Sequence, residues 1–287
     1  MSTILEVQGL EKSYKNSDFR LKDVSFSIPS GAIMGFVGEN GSGKSTTIGC
    51  ILNTLIKDSG TIKVFGRHMT DDATDVRDDI GVVYDSNRFP AHLTPEKISS
   101  AMRHFFSKWD NDLFKEYLQK FKLPEKQKIK EFSRGMTMKL GVAAALSHRP
   151  KLLILDEATS GLDPIVRDDI LDVFLDFVQD ESNSVFLSSH ITSDLEKVAD
   201  YITFIHEGSI VFSESKDRLI YNYGIMRCKG AQFAEIYKEG ILAHRKHDYH
   251  VDVLVSDKQS AAKKYRDVVI DSVTIEEIML MLVKGEK

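Results

Sequence analysis

Residues 38–46 read GENGSGKST, and Gly38, Gly43, Lys44 and Ser45 satisfy the spacing G-x-x-x-x-G-K-[ST]. Glycines at 38, 41 and 43 let backbone N–H groups turn inward around an anion without a Cβ clash. A helix starting after the loop adds free N–H groups and the positive end of its dipole. Gly38, Glu39, Asn40, Gly41, Ser42, Gly43, Lys44, Ser45 and Thr46 therefore read as a nucleotide phosphate loop. Lys44 is placed to reach the β- and γ-phosphates, and the Ser45 hydroxyl to ligate Mg²⁺. A second group follows the apolar run Leu152 to Leu155, which ends in Asp156 and Glu157. Carboxylates at the C-terminal end of a buried strand lie where ligands of parallel sheets bind. Asp156 is expected to hold Mg²⁺ through water, and Glu157 to take a proton from the attacking water. Ser133 in FSRGM, ahead of a helix over 137–146, marks another anion-binding helix start.

The elements that must carry these residues are legible in outline. Ile4 to Val7 and Val24 to Ile28 alternate as half-buried strands do, and Ile33 to Val37 runs apolar into the loop. A helix is expected over 46–55, with strands over 61–65 and 80–84. Thr94-Pro95 and Asp110 read as helix starts. Leu113, Phe114, Tyr117, Leu118 and Phe121 form an apolar stripe, so residues from about 92 to 146 make a helical insertion. Strands return at 152–155, 185–187, 202–205 and 210–212, the last two flanking a hairpin loop at 206–209. Asp163-Pro164 caps a further helix. The tail from about residue 222 shows a strand over 251–255 and a helix over 275–283.

Composition narrows the classes. The chain has 287 residues, 42% hydrophobic and 28% charged, enough for one large domain or one domain plus an appendage. Net charge of −5 gives no basic excess for nucleic acid. The longest apolar run is Ile278 to Val283, far short of the roughly 20 residues a bilayer span needs. The N-terminus has no basic start followed by an apolar core, so no signal peptide is expected. Cys50 and Cys228 belong to no CxxC, and two unbonded thiols in a reducing cytosol are the expectation.

With these pieces in order, the chain from residue 4 to about 215 resembles the nucleotide-binding subunit of ATP-binding-cassette (ABC) transporters. The resemblance makes GENGSGKST the Walker A loop, LLILDE Walker B, FSRGM the signature, and Ser160-Gly161-Leu162-Asp163 the D-loop. It places Tyr14 at the adenine-stacking aromatic, and His190, in SSH, at the switch histidine that contacts the γ-phosphate. It implies that Ser133, Gly135 and Asp163 meet a nucleotide shared between two protomers. The implied fold is α/β: a P-loop ATPase core with an antiparallel β edge over 1–220, a helical lobe at about 92–146, and a small α/β extension over 221–287. The implied ligands are ATP and Mg²⁺. The implied partners are a second ABC ATPase protomer, identical or paralogous, and a separate transmembrane permease that holds the chain at the inner membrane face. The signature departs from LSGGQ at Arg134 and Met136, a variation similar to that of bacterial exporters of antibiotics and toxic peptides. The Q-loop departs further, because the family glutamine is Asp85. Its carboxylate either ligates Mg²⁺, directly or through water, or leaves the site to pair with a nearby cation. Residues 85–90 and the helical lobe are expected to transmit motion to the permease. The alternatives are a soluble ABC ATPase acting on ribosomes or DNA, against which one cassette without long coiled coils argues, and a non-hydrolysing sensor, against which Glu157 and His190 argue.

Elsewhere the bland readings prevail. His244, His247 and His250 are interleaved with Arg245, Lys246 and Asp248 and read as a solvated segment rather than a metal site. Asp71, Asp72, Asp75, Asp78 and Asp79 read as a solvated acidic face. Met279 and Met281 read as core or dimer contacts, and Trp109 as an anchor of the helical insertion.

Overall fold

The computed structural model describes residues 2–70, 72–85, 89–236 and 240–286. The chain opens on the hairpin β1 (Thr3–Tyr14) and β2 (Ser17–Pro29). There follow β3 (Ile33–Val37), α1 (Lys44–Ile51), β4 (Ser59–Val64), β5 (Arg67–His68), α2 (Thr74–Asp78) and β6 (Ile80–Tyr84). Next come α3 (Pro95–Met102), α4 (Asn111–Lys120), a 3₁₀ turn at Ile129–Glu131 and α5 (Arg134–Leu146). The strand-rich part resumes with β7 (Leu152–Asp156), α6 (Pro164–Phe177), β8 (Ser184–Ser189), α7 (Thr192–Val198), β9 (Tyr201–His206) and β10 (Ser209–Ser215). The tail holds α8 (Lys216–Asn222), β11 (Gly224–Cys228), α9 (Gly230–Glu235), β12 (Ile241–Lys246), β13 (Val251–Val255), α10 (Lys258–Lys264), β14 (Val269–Asp271) and α11 (Ile275–Lys284).

The central sheet has the order β10-β9-β3-β8-β7-β6. All neighbours in it run parallel except β10, which closes one edge antiparallel to β9. Strand alternation sorts the side chains between two cores. Leu153 and Leu155 of β7 face the helices with Phe174 and Leu140, whereas Leu152 and Ile154 face Phe36 and Phe186 on the other side. That second face is covered by the antiparallel sheet β2-β1-β4-β5. Phe26, Phe36 and Phe186 seal the contact, with ring centroids 5.2–5.5 Å apart. A strand apolar at every position is thus one buried on both faces.

The helical insertion forms around α3, α4 and α5. Thr94 Oγ1 caps α3 by accepting from Lys97 N, and Asp110 caps α4 by accepting from Asp112 N and Leu113 N. Trp109 donates through Nε1 to Ser99 Oγ at 3.1 Å and packs against Phe114. The acidic run is less free than its composition suggests. Asp75 pairs with Arg67, Asp79 with Lys108, and Asp78 accepts from Ser107, while Asp71 lies outside the described residues. Two boundaries move. α1 starts at Lys44 and ends at Ile51, because Asn53 turns left-handed (φ 55°) where a helix over 46–55 was expected to continue. α5 starts at Arg134, because Ser133 rather than a later residue caps it.

The tail is richer than its pattern. β12-β13-β11-β14 form a third, antiparallel sheet. Its two faces serve different cores. Ile225 and Leu254, with Ile275, Ile278 and Met281 of α11, join the large helical-side core. Met226, Cys228, Val251, Val253 and Val255 build a small core of their own. Cys50 and Cys228 are both buried and unbonded.

Candidate active site

The phosphate loop hangs between β3 and α1, and its shape needs its glycines. Gly43 precedes α1 at φ 117°, and a Cβ there would lie 2.6 Å from Leu21 Cδ2. A Cβ on Gly38 would lie 2.4 Å from Ile205 O and 2.5 Å from Ser42 Oγ. The turn between β9 and β10 clamps the loop from above. Gly208 N donates to Ser42 O at 2.9 Å, Lys22 N donates to Gly208 O at 2.8 Å, and Glu39 pairs with His206 Nδ1 at 2.8 Å. Lys44 is buried, and its ammonium donates to Gly38 O at 2.7 Å and Glu39 O at 3.1 Å. Ser42 Oγ is buried without a hydrogen-bond partner among the described residues, and Ser45 is exposed beside it.

The acids arrive on β7. In the parallel register Asp156 lies opposite Ser188 of β8 on one side and Tyr84 of β6 on the other. The Ser188 hydroxyl donates to Asp156 Oδ1 at 2.7 Å and accepts from Glu157 N at 3.1 Å. Glu157 sits in the left-handed region at φ 56°, a conformation that costs a non-glycine residue about 1 kcal/mol or more and that ends the strand abruptly. The turn aims its carboxylate back at the loop. Oε1 lies 3.1 Å from Lys44 Nζ and Oε2 lies 2.6 Å from His190 Nδ1. Lys44 at the start of α1, Glu157 just after β7 and His190 just after β8 are thereby joined in one line. The sequence pattern supplied all three residues. It did not show the hydroxyl of Ser188, which orients both acids, nor His206, which reads only as part of a hairpin loop.

The remaining candidates surround this line. Tyr14, at the end of β1, brings its hydroxyl 3.5 Å from Thr46 Oγ1 and keeps part of its ring exposed. Ser133 caps α5, with Oγ accepting from Met136 N at 3.2 Å. Asp163 caps α6, accepting from Val166 N at 3.0 Å. Arg134 packs on the D-loop of its own chain: a Cβ on Gly161 would meet its Nη1 at 2.8 Å, and Gly161 is left-handed at φ 65°. Gly135 lies against Val166, where an added Cβ would be 3.1 Å from Cγ1. Asp85 stands apart. It is exposed at the end of β6, makes no ion pair among the described residues, and lines a cavity of about 610 Å³ with Val82, Phe89, Met102, Phe106 and Met138. Ser86, Asn87 and Arg88, in the expected coupling surface, lie outside the described residues. A second cavity of about 540 Å³ was not anticipated. Met279, Leu280 and Val283 of α11 line it together with Gly38, Glu39 and His190, so the tail shares a cavity with the loop and the histidine.

Comparison with known proteins identifies the family and the fold. A family model described as ABC transporter matches residues 21–160. The bacitracin transport ATP-binding protein BcrA of Bacillus licheniformis is 33% identical over 213 residues, 74% of this chain and 69% of that protein. The lantibiotic transport ATP-binding protein SrtF of Streptococcus pyogenes is 34% identical over 216 residues, 75% of this chain and 92% of that protein. Among solved structures, an ATP-binding subunit of an ABC transporter superposes with a TM-score of 0.66 at 25% identity, covering 75% of this chain and 91% of its own. The dimeric post-hydrolysis structure of an ATP-binding cassette bound to ADP and Pi superposes with a TM-score of 0.67 at 20% identity, covering 74% and 98%. The parallel sheet that sets Lys44, Glu157 and His190 in line thus has its counterparts among known cassettes, and the chain belongs to the ATP-binding, ATP-hydrolysing subunits of ABC transporters.

Proposed function

We propose that this chain is the nucleotide-binding subunit of an exporter of peptide-like antibiotics or toxic peptides, acting through a separate permease at the inner face of the membrane. The export direction and the cargo class rest on the likeness to the bacitracin and lantibiotic transport proteins. No helix among the described residues is long and apolar enough to cross a membrane, so the path for a cargo is assigned to another polypeptide. The cavity between β6 and the helical lobe, open beside Asp85, is the surface assigned to that permease.

The observation that carries the catalytic reading is the Lys44–Glu157–His190 line. Backbone N–H groups of 38–46 and the Lys44 ammonium bind the triphosphate, and the buried Ser42 hydroxyl has no hydrogen-bond partner among the described residues that would compete. Tyr14 supports the base by stacking. The donor set of the exposed Ser45 hydroxyl and the Asp156 carboxylate suits a hard divalent cation, and Mg²⁺ would neutralise phosphate charge there. Ser188 holds Asp156 in place and fixes the backbone of Glu157. Glu157 takes the proton of the attacking water, and His190 holds that carboxylate in position and contacts the terminal phosphate. Ser133, Gly135 and Asp163 complete the nucleotide site of a second protomer. Shared occupancy lets nucleotide join two cassettes and hydrolysis release them.

The Glu157→Gln variant tests the reading. Its ATP hydrolysis falls at least a hundredfold while ATP shifts it from monomer to dimer on size exclusion. Hydrolysis at the wild-type rate would remove Glu157 as the base. For cargo, the chain is reconstituted with its permease and assayed for ATPase stimulation by bacitracin-like and lantibiotic-like peptides.

A further inference from the structure

The turn that joins β12 to β13 gathers two of the three tail histidines. His247 N donates to His250 O at 2.8 Å, and the two imidazoles stack with centroids 4.6 Å apart and planes inclined by 14°. Both rings direct Nε2 at Asp252 of β13. His247 Nε2 lies 3.2 Å from Oδ2, and His250 Nε2 lies 3.3 Å from Oδ1. One ligand atom from each residue falls within 4.8 Å of the other two. His244 does not join them; it faces Glu286 at 3.3 Å.

We propose that His247, His250 and Asp252 form a three-ligand site for a borderline divalent cation of the Zn²⁺ class, which pins the β12–β13 hairpin. Three observations carry it. Asp252 Oδ1 is buried without a hydrogen-bond donor among the described residues, a costly situation for a carboxylate oxygen and one that a cation relieves. Arg227 comes only within 3.7 Å of it, and the guanidinium is taken up by Asp271 at 2.8 Å. The spacing also fits. Donors at about 2.0–2.1 Å from a tetrahedral ion stand about 3.3 Å apart, the distance from each imidazole to its nearer carboxylate oxygen (Oδ2 for His247, Oδ1 for His250), and with one atom from each residue all three ligand atoms lie within 4.8 Å. Finally, two imidazoles and one carboxylate are a donor set for Zn²⁺ and its neighbours rather than for Mg²⁺ or Ca²⁺. His247 is exposed, so an ion can enter and keep water as its fourth ligand. The sequence motif is H-x-x-H-x-D across a turn, a spacing that looks like solvated charge until the hairpin closes it.

The test uses the untagged full chain stripped with chelator. Titration with Zn²⁺ is expected to show one tight equivalent in calorimetry and an unfolding midpoint raised by several degrees. Co²⁺ in its place is expected to give the visible absorption of a tetrahedral site. His247→Ala and His250→Ala each weaken binding at least tenfold, and Asp252→Asn does the same. In chelator these variants melt close to the wild type, which separates lost metal from lost fold, and His68→Ala at an exposed site elsewhere retains full affinity. Less than one equivalent bound at about 100 μM Zn²⁺, or undiminished affinity in the doubly substituted His247→Ala, His250→Ala chain, would overturn the proposal.

Discussion

The two flanks of β7 are built on opposite principles. On the β3 and β8 side, polar groups face one another: Lys44 pairs with Glu157, Glu157 with His190, and Ser188 donates to Asp156, while Glu157 Oε1 and Ser42 Oγ lack a hydrogen-bond partner among the described residues. On the β6 side, Asp85 opens onto an apolar cavity lined by Val82, Phe106 and Met138 and has no ion-pair partner among the described residues. The Lys44 ammonium is held on the loop carbonyls and beside Glu157, so an incoming phosphate competes with these contacts for the same cation. An apolar recess beside a rigid strand is instead a surface shaped to receive another molecule. The same strand end therefore meets a polar cluster on one side and an apolar recess on the other.

Lys44→Ala attacks the polar flank hardest. It removes a buried cation, leaves the Glu157 carboxylate without its ammonium, and lowers ATP affinity and hydrolysis together by about a hundredfold or more. Equilibrium binding of a fluorescent ATP analogue and phosphate release measure the two parts. Ser188→Ala is next. Asp156 loses its hydroxyl donor and Glu157 N loses one acceptor, so kcat drops by about ten- to a hundredfold. A fall in KM affinity alone, with kcat intact, would mean that Ser188 does not orient the acids.

On the apolar flank, Met102→Arg puts a charge into the recess. Permease-stimulated ATPase is expected to fall about tenfold further than the ATPase of the isolated chain, a ratio that equal losses would contradict. Asp85→Asn is the finer probe. Because Asp85 belongs to the recess, the Mg²⁺ concentration for half-maximal hydrolysis is expected to move less than about twofold, whereas a direct ligand would shift it by more. The smallest effect concerns His148, which stacks on Phe106 at 4.1 Å and accepts no charge readily, since burial holds its imidazole below the ordinary 6.5. The unfolded chain gains that proton first as pH falls through 6.5, so this contribution is full above that value and declines below it. Thermal melts between neutral and mildly acidic pH are expected to fall more steeply for the wild type than for His148→Gln.

Much of this was legible because it is local. The loop glycines, the apolar β7 with its terminal acids, and the caps Thr94, Asp110, Ser133 and Asp163 all act within a few residues of themselves. What escaped was non-local. β11 and β14 are short, and each is stabilised by partners many residues away, so neither carries enough alternation to stand out. Ser188 looks like any strand serine until the parallel register sets it opposite Asp156. The tail histidines read as solvated because charged neighbours separate them in sequence, yet the turn between β12 and β13 brings two onto one carboxylate.

The sequence by itself determined which residues could bind phosphate and move a proton, because glycine freedom, lysine charge and carboxylate basicity belong to the residue and its immediate neighbours. Only the tertiary structure decided how they meet. The left-handed turn at Glu157 and the order of β3, β8 and β7 bring Lys44, Glu157 and His190 within contact across more than a hundred residues of chain. The same long-range packing carries α11 to the edge of the phosphate loop and leaves Asp85 facing an apolar recess. Sheet order and register depend on how buried faces are shared among distant strands, and no single segment contains that information.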